Sequence, residues 1–301
     1  MYDLIIIGGG PAGLTAAIYA IRKRLETLLI SKDLGGKTNF HLELPDVELH
    51  NVISGQEIIG KFRREIEYLE FARVLDGVEK VEAVDRSYAV TTTSGKRFSA
   101  KALIVATGAR GRRLNVPGEK EFMMRGLCYS AVSYAPLFID KKAIVIGDRP
   151  LALRAVAELA QVASEVTLIA PESDKLDTPI GRRIRKAKNV TILEGFQVRA
   201  VKGDKHARSV VVGKDGDERE LKMDAAFVEL ELMPRSEMVA HLVELDPQGR
   251  IKIDAENRTS RTGIFAAGDV TNIHAEQVLV AVGEGAKAAL SAYEYLLREW
   301  D

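Results

Sequence analysis

The sequence predicts an α/β protein built from two similar halves. Two segments open in the same way: a run of β-branched and other apolar residues ends in a glycine turn, and an amphipathic helix and a second strand follow. Strands that alternate with helices in this order are typical of parallel sheets. The length of 301 residues suits two domains of ordinary size.

The first opening begins at the N-terminus. An apolar strand at residues 3–8 leads into Gly8-Gly9-Gly10-Pro11-Ala12-Gly13, called the glycine turn below, and a helix to about residue 24 and a strand at residues 27–30 follow. In a Gly-x-Gly-x-x-Gly motif placed between a strand and a helix, the glycines permit a tight turn, close approach of a pyrophosphate and close helix packing. The helix N-terminus then offers unpaired N–H groups to the phosphates. The motif therefore predicts a dinucleotide site.

One part of the dinucleotide pattern is missing. An acidic residue commonly ends the second strand and binds the ribose, but here Ser31 and Lys32 follow Ile30. We therefore assign the ribose contact to Ser31 or to the backbone.

The second opening begins with a strand at residues 142–147, continues with a turn and a helix at about residues 151–163, and ends with a strand at residues 166–169. A later strand ends at Gly268 and Asp269 and is followed by a helix at about residues 277–297, which resembles a return to the first half. We therefore expect two Rossmann-like, three-layer dinucleotide-binding domains, the second inserted in the first. The predicted bounds are 1–112 plus 246–301 for the first domain and 113–245 for the second.

Charge and hydropathy exclude several classes of partner. Lysine plus arginine and aspartate plus glutamate both number 43, so no broad cationic field favours nucleic acid or an anionic membrane. No apolar run approaches the roughly 18 residues of a spanning helix, so we expect no membrane insertion. The N-terminus enters a strand without the features of a secretory signal, which predicts a cytoplasmic protein.

The single cysteine, Cys128, limits the redox chemistry. One thiol cannot form an internal disulfide, a two-cysteine metal knuckle or a redox dithiol. The five histidines show no metal-ligand spacing and no evident pairing with a nucleophile, so we assign no metal site and no general acid or base; they are His41, His50, His206, His241 and His274.

Seven short motifs follow one another along nearly the whole chain. They are the glycine turn, Gly35-Gly36, His50-Asn51, residues 106–109, 116–119 and 263–270, and Gln277-Val278. With these motifs the sequence resembles the low-molecular-weight thioredoxin reductases and the similar flavoprotein subunit of alkyl hydroperoxide reductase. The resemblance implies a homodimer and FAD in the first domain, with the pyrophosphate on the glycine turn, the ribityl chain near Asp269 and the flavin ring near Asn51 and Gln277.

The resemblance and the glycine motif together assign a set of residues to FAD. The set comprises Gly8, Gly10, Pro11, Ala12, Gly13, Ser31, Lys32, Gly36, Lys37, Asn51, Ala106, Thr107, Gly108, Gly268, Asp269, Gln277 and Val278.

Two departures from the family concern the routes of electrons. Thioredoxin reductases carry Cys-x-x-Cys where this chain has Ser130 and Ser133, and a serine hydroxyl cannot form a disulfide. Dithiol exchange with the flavin is therefore closed, and no catalytic residue is assigned. The resemblance implies that both serines, with Tyr129 and Tyr134, lie beside the flavin.

The second departure lies in the predicted nicotinamide site. Arg149 stands where a pyrophosphate needs bare backbone, Glu172 follows the second strand in place of a basic cluster, and Glu231 adds another anion. The altered positions are Gly147, Arg149, Ala152, Glu172 and Glu231. We therefore expect FAD without ordinary NAD(P)H binding, although Arg149 could instead pair with a phosphate.

Three functions remain open. The first, which we favour, is an FAD-dependent oxidoreductase in which electrons pass directly to and from the flavin, with a ferredoxin, a flavodoxin or a thioredoxin-like protein as partner. The second is a non-catalytic FAD-binding or sensing protein. The third is an NAD(P)H-dependent flavin oxidoreductase with a divergent pocket.

Overall fold

The computed structural model describes residues 1–40, 42–43, 55–129 and 134–298, and the chain divides into two compact units. The first unit comprises Met1–Asn39, Ile53–Arg110 and Met233–Asp301, and the second comprises Phe40–Val52 and Gly111–Leu232. Asn51, Ser130 and Ser133, which the sequence analysis singled out, lie outside the described residues.

Helices and strands alternate over residues 2–75 and 142–194, and strands follow one another in most of the rest of the described chain. They are β1 (Tyr2–Ile7), α1 (Pro11–Arg22), β2 (Thr27–Ser31), α2 (Gly55–Tyr68), β3 (Arg73–Leu75), β4 (Val78–Val84), β5 (Ser87–Thr92), β6 (Arg97–Val105), β7 (Ala109–Gly111), α3 (Glu119–Phe122), β8 (Leu127–Cys128), β9 (Lys142–Ile146), α4 (Pro150–Leu159), β10 (Glu165–Ala170), α5 (Pro179–Ile184), β11 (Val190–Glu194), β12 (Gln197–Gly203), β13 (Ala207–Lys214), β14 (Asp217–Lys222), β15 (Ala225–Val228), β16 (Leu232–Pro234), β17 (Ile264–Ala266) and α6 (Val278–Arg298). Short 3₁₀ turns lie at Gly36–Asn39, Glu70–Ala72, Ala135–Phe138, Ser173–Leu176 and Glu237–Val239.

The first unit is built on one sheet with the strand order β3-β2-β1-β6-β5-β4, and β17 pairs with the last residues of β6. The strands β1, β2, β3, β6 and β17 run parallel, whereas β4 and β5 pair antiparallel. In β1, Leu4 and Ile6 face a core with α1 and α6, while Ile5 and Ile7 face a second core on the other side. Burial on both faces explains why residues 4–7 of β1 are all apolar and do not alternate with polar residues.

The return of the chain to the first unit differs from the predicted boundary. The sequence predicts the return at residue 246, whereas in the structure the first unit resumes at Met233. The reason is that Val239 and Val243, 0% and 7% exposed, pack in the second core of the first unit with Ile5 and Ile7.

The second unit contains a parallel sheet with the order β11-β10-β9-β15-β8. On one face Val145 packs with Leu153 and Val156 of α4, and on the other Ile144 packs with Val210 of the antiparallel sheet β12-β13-β14. The predicted α/β class with parallel sheets is confirmed.

Within the part of the chain that the structure describes, no helix is long and apolar enough to span a membrane.

Candidate functional site

Three glycines of the glycine turn, Gly8, Gly9 and Gly13, are required by the packing of the protein itself. A Cβ on Gly9 would lie 2.3 Å from the carbonyl oxygen of Asp33. Gly8 has φ of +113°, and a Cβ there would lie 2.3 Å from the carbonyl oxygen of Ala106. A Cβ on Gly13 would lie 1.8 Å from the carbonyl oxygen of Gly8. Helix α1 can therefore approach the end of β1 only because Gly8 and Gly13 carry no side chain.

Gly10 is different, because a Cβ there would meet no atom within 4 Å. Its φ of −74° is accessible to any residue, so neither packing nor strain requires a glycine. The first helical bond runs from the Leu14 N–H to the Gly10 carbonyl at 2.9 Å, so the N–H groups of Ala12 and Gly13 have no acceptor within the helix. Open space beside N–H donors at the positive end of a helix fits a pyrophosphate.

The segment after β2 holds the glycine turn in place. The hydroxyl oxygen of Ser31 accepts a 2.7 Å hydrogen bond from the Gly9 N–H, and the Gly35 N–H donates to the Gly9 carbonyl at 2.7 Å. Gly36 has φ of +57°, and a Cβ there would lie 3.1 Å from the Gly10 Cα. Ser31, assigned from sequence to the ribose, therefore also supports the turn.

Lys32 and Lys37 have different surroundings. Lys32 is exposed, and its side chain packs against Gly77, where a Cβ would lie 2.6 Å from the Lys32 Cε atom. The Lys37 ammonium donates to the Asp269 carboxylate at 2.8 Å, and the Asp269 side chain is only 17% exposed. Two assigned residues 232 positions apart are thus joined.

The end of β6 lies at the same edge of the sheet. Thr107 donates its hydroxyl to the Arg235 carbonyl at 2.6 Å, and the Arg235 N–H donates to the Gly108 carbonyl at 3.0 Å. Ala106 is buried and contacts the glycine turn through Gly8, as described above. Arg235 is not predicted from the sequence, because no local pattern marks a residue that hydrogen-bonds to Thr107 and Gly108 through its backbone.

Helix α6 passes the glycine turn. Its first residue is Val278, and Gln277 caps it by accepting the Ala281 N–H at 2.9 Å. A Cβ on Gly268, which has φ of +76°, would lie 3.1 Å from Ala12 Cβ and 3.6 Å from Ala281 Cβ. Gly268 therefore lies between the N-terminal turns of α1 and α6, with Asp269 next to it in the chain.

The second unit repeats the backbone of the glycine turn with other side chains. Gly147 has φ of +150°, and a Cβ there would lie 2.3 Å from the Glu229 carbonyl oxygen and 3.0 Å from Ala152 Cβ. Arg149 has an extended backbone and caps α4, accepting the Leu153 N–H at 3.1 Å. The turn is preserved, but an arginine occupies the position that corresponds to Gly10.

Carboxylates surround the start of α4. Asp148 is 6% exposed, and its carboxylate accepts the Glu172 N–H at 2.8 Å. The Glu172 side chain is exposed. The Glu231 carboxylate lies 3.7 Å from the Arg149 guanidinium and 3.8 Å from that of Arg112. Glu231 thus supplies a negative charge of the protein itself beside Arg149, the residue that caps α4.

A buried carboxylate organises the segment before α3. Glu119 is 3% exposed and accepts the N–H groups of Leu114 and Asn115 at 2.7 and 2.8 Å, and Tyr129 donates its hydroxyl to the same group. Burial and the hydrogen bond to Glu119 raise the pKa of Tyr129. The Tyr134 hydroxyl donates to the Phe40 carbonyl at 3.5 Å. Burial raises the pKa of Tyr134.

The fold, with a glycine turn after β1 in one parallel sheet and after β9 in the other, is that of a two-unit α/β protein of the Rossmann-like class. The model of the Pyridine nucleotide-disulphide oxidoreductase family matches residues 2–285, and the chain belongs to that family. The resemblance predicted from the sequence motifs is confirmed, and membership of the family implies FAD binding.

Among curated relatives, the F subunit of alkyl hydroperoxide reductase from Pseudomonas aeruginosa is 37% identical over 311 residues, and that from Escherichia coli is 36% identical over 315 residues. These matches cover 99% of this chain, which spans 58% of the length of each relative. Among solved structures, thioredoxin reductase of Streptococcus pyogenes superimposes with a TM-score of 0.87 at 31% identity, covering 99% of both chains. Thioredoxin reductase of Giardia duodenalis superimposes with a TM-score of 0.87 at 28% identity, covering 98% of this chain and 99% of its own.

Proposed function

We propose that the protein is an FAD-dependent oxidoreductase whose flavin exchanges electrons directly with external partners, without a thiol relay. The observation that carries the proposal is the single cysteine, Cys128, which is 1% exposed. A disulfide needs two sulfur atoms, and serines stand at Ser130 and Ser133, where the related reductases carry their cysteines.

The glycine turn is the proposed pyrophosphate site, because Gly10 leaves open space beside the N–H groups of Ala12 and Gly13. Asp269, oriented by Lys37, is the proposed partner of the ribityl chain, and Asn51, Gln277 and Val278 are proposed for the flavin ring. When bound, FAD supplies a group that accepts and returns electrons reversibly.

The surroundings of α4 support a donor other than NADPH. The carboxylates of Asp148, Glu172 and Glu231 lie around the turn that would receive the nucleotide, and the Arg149 side chain occupies its bare position. Added carboxylates oppose a ligand that carries several phosphates, and Glu172 in particular opposes a 2′-phosphate. We therefore propose a redox protein of the ferredoxin or flavodoxin class as donor, a thioredoxin-like protein as accepting partner, and a homodimeric assembly.

NADH is the second candidate donor, and one observation favours it. Glu172 follows the last residue of β10, Ala170, by two positions and lies 25 positions after Gly147. A carboxylate near the end of the second strand of a Rossmann-like unit commonly binds the ribose 2′-hydroxyl of NAD. The Arg149 guanidinium could then pair with a phosphate if it left Glu231.

An anaerobic titration of the flavin-loaded protein tests the proposal. NADH, NADPH and then dithionite are added while the visible flavin absorption is followed, and a reduced ferredoxin and a reduced flavodoxin are tested separately. We expect bleaching by dithionite and by a protein donor, and none by NADPH. Bleaching by near-stoichiometric NADH would replace the first candidate by the second, and bleaching by dithionite alone would favour a non-catalytic flavin-binding protein.

The variant Glu231→Gln separates the two donors further. Removing the anion beside Arg149 should tighten NADH binding by about fivefold, because a like charge no longer faces the phosphates. NADH binding is measured by fluorescence titration, and the matched control is Glu218→Gln, an exposed carboxylate on β14. Equal NADH affinity in both variants would show that Glu231 does not exclude the nucleotide.

A further inference from the structure

A second concave site lies at the opposite end of β17 from Gly268 and Asp269. It is a cavity of about 240 Å³ between residues 258–265, which precede and enter β17, and the last turns of α6. None of its lining residues belongs to the set assigned to FAD. Helix α6 has 21 residues, so its two ends are about 30 Å apart at 1.5 Å per residue. The cavity is therefore a separate site of the first unit.

The charged side chains that line this cavity are mostly cationic. They are Arg258, Arg261 and Arg298, with Glu294 as the single carboxylate, which makes a formal charge of +2. We call this site the arginine cavity. Like charges held close together repel one another unless a counter-ion lies between them. The arrangement therefore favours an anion.

The three arginines of the arginine cavity form no ion pairs with described carboxylates. Within the described ranges, no carboxylate lies within 4.0 Å of the guanidinium nitrogens of Arg258, Arg261 or Arg298. By contrast, Arg22 and Arg250 of the same unit pair with carboxylates at 3.5 and 2.6 Å. The donor groups of the arginine cavity are thus available to a ligand.

A serine hydroxyl lines the same cavity. Ser291 of α6 is only 8% exposed, and its hydroxyl makes no hydrogen bond to another described residue. The hydroxyl oxygen is reached by solvent in the cavity, where it can donate a hydrogen bond to a bound ligand. This donor is independent of the arginines and faces the same space.

The turn that carries two of the arginines is held by its own hydrogen bonds. The Thr259 hydroxyl donates to the Ile264 carbonyl at 2.8 Å and accepts the Arg261 N–H at 3.2 Å. The Tyr88 hydroxyl donates to the Thr262 carbonyl. A turn fixed in this way positions the guanidinium groups before a ligand arrives, which lowers the entropy cost of binding.

We propose that the arginine cavity binds a small phosphate-bearing anion. Guanidinium groups pair with phosphate oxygens through parallel N–H bonds, and the Ser291 hydroxyl adds a further donor. The volume is below the range of about 300–1,000 Å³ of pockets for larger ligands, so it suits one phosphate group and a short carbon skeleton but not a dinucleotide. Arg298 also offsets the partial negative charge at the end of α6.

Isothermal titration of the flavin-loaded full chain with inorganic phosphate tests this proposal, with chloride at equal ionic strength as reference. We expect saturable phosphate binding and a rise of a few degrees in the melting temperature that chloride does not reproduce. Glycerol 3-phosphate in a parallel arm distinguishes the sources: tighter binding than phosphate assigns the site to a phosphate ester, and equal or weaker binding assigns it to free phosphate.

Substitutions then locate the site. The double variant Arg258→Gln with Arg261→Gln should weaken phosphate binding at least about tenfold, and Ser291→Ala about threefold, since a hydrogen bond to a charged group is removed in each case. Arg86→Gln, an exposed arginine of the same unit outside the cavity, is the matched control and should bind like the unaltered protein. Unchanged flavin absorption and melting temperature without phosphate verify folding. Absence of a phosphate-specific response, or equal affinity in the double variant and the control, would overturn the proposal.

Discussion

At the scale of single residues, Gly10 and Gly13 belong to one motif but act through different physical causes. Gly13 has no room for a side chain, because the Gly8 carbonyl oxygen would lie 1.8 Å from its Cβ. Gly10 has room, and the space beside it is open. The first glycine turn therefore combines one position that the fold requires with one that we assign to the ligand.

Substitution by alanine separates these causes. Gly10→Ala should leave the melting temperature of the flavin-free protein nearly unchanged but weaken FAD binding at least about tenfold, since the methyl group enters the pyrophosphate space. Gly13→Ala should lower both stability and FAD content, because α1 must move away from β1. Melting curves and the flavin-to-protein absorbance ratio measure the two effects.

The control for this comparison is Gly283→Ala, since Gly283 lies in α6 and a Cβ there meets nothing within 4 Å. Alanine at this exposed helical position should raise stability slightly and leave FAD binding unchanged. If Gly10→Ala bound FAD as well as Gly283→Ala does, the pyrophosphate would not lie at Gly10.

At the scale of elements, the short helix α3 depends on contacts outside itself. It has four residues, which is too short for independent stability, and Gly118 before it has φ of +84°, with Val201 O 2.0 Å from the position of a Cβ. Its first residue, Glu119, binds two backbone N–H groups and the Tyr129 hydroxyl while almost fully buried. One carboxylate thus fixes the backbone of the segment between β7 and β8 by hydrogen bonds.

Replacing this carboxylate tests its role. Glu119→Gln should lower the free energy of unfolding by about 1–3 kcal/mol, because the amide NH₂ group cannot accept a hydrogen bond and leaves a buried donor unpaired. The matched control is Glu121→Gln on the same helix, whose exposed side chain should tolerate the change. Denaturant unfolding measures both variants, and equal loss in both would contradict the proposed role of Glu119.

The Tyr129 hydroxyl predicts a pH dependence. Its pKa is raised in the folded protein by burial and by Glu119, so the unfolded chain loses this proton first as the pH rises above about 10. The contribution of Tyr129 to stability is therefore complete below pH 10 and declines as the pH rises from there towards the folded pKa. Tyr129→Phe should show a shallower decline above pH 10 than the unaltered protein, as followed by urea unfolding.

Tyr68→Phe is the control for the alkaline series, because Tyr68 is 86% exposed. Its decline with pH should match that of the unaltered protein. Parallel curves for Tyr129→Phe and Tyr68→Phe would show that Tyr129 does not contribute to the alkaline loss of stability.

At the scale of the whole molecule, the protein repeats one βαβ opening in two units but keeps a bare glycine turn in only one. The first turn has Gly10 at its open position, whereas the second has Arg149 paired with Glu231. The first unit, to which we assign the flavin, leaves open space beside its turn, and the second unit carries a side chain in the corresponding place. This asymmetry supports the proposal that the electron donor is not NADPH.

The proposed exchange of electrons without a thiol relay gives a measurable expectation for the whole chain. Cys128 in β8 is 1% exposed, so a thiol reagent such as Ellman's reagent should react with no thiol rapidly in the native protein. In guanidinium chloride one thiol per chain should react, because the sequence holds a single cysteine. Rapid reaction in the native state would show that Cys128 is accessible and reopen a thiol route.

Much of the fold could be predicted from sequence because its signals are local. The glycine turn follows a β-branched strand and precedes a helix within a few residues, and backbone sterics over this short range dictate the turn. The same holds for the second turn at Gly147 and for the strand that ends at Gly268 and Asp269. The count of cysteines needs no structure at all.

Contacts between distant residues could not be predicted in this way. Lys37 meets Asp269, Glu231 meets Arg149, and Met233 marks the return to the first unit only because packed elements bring these residues together. The arginine cavity likewise joins a turn before β17 to the end of α6. Local patterning specifies which elements form, whereas the side chains that meet across them depend on how those elements pack, which only the tertiary structure decides.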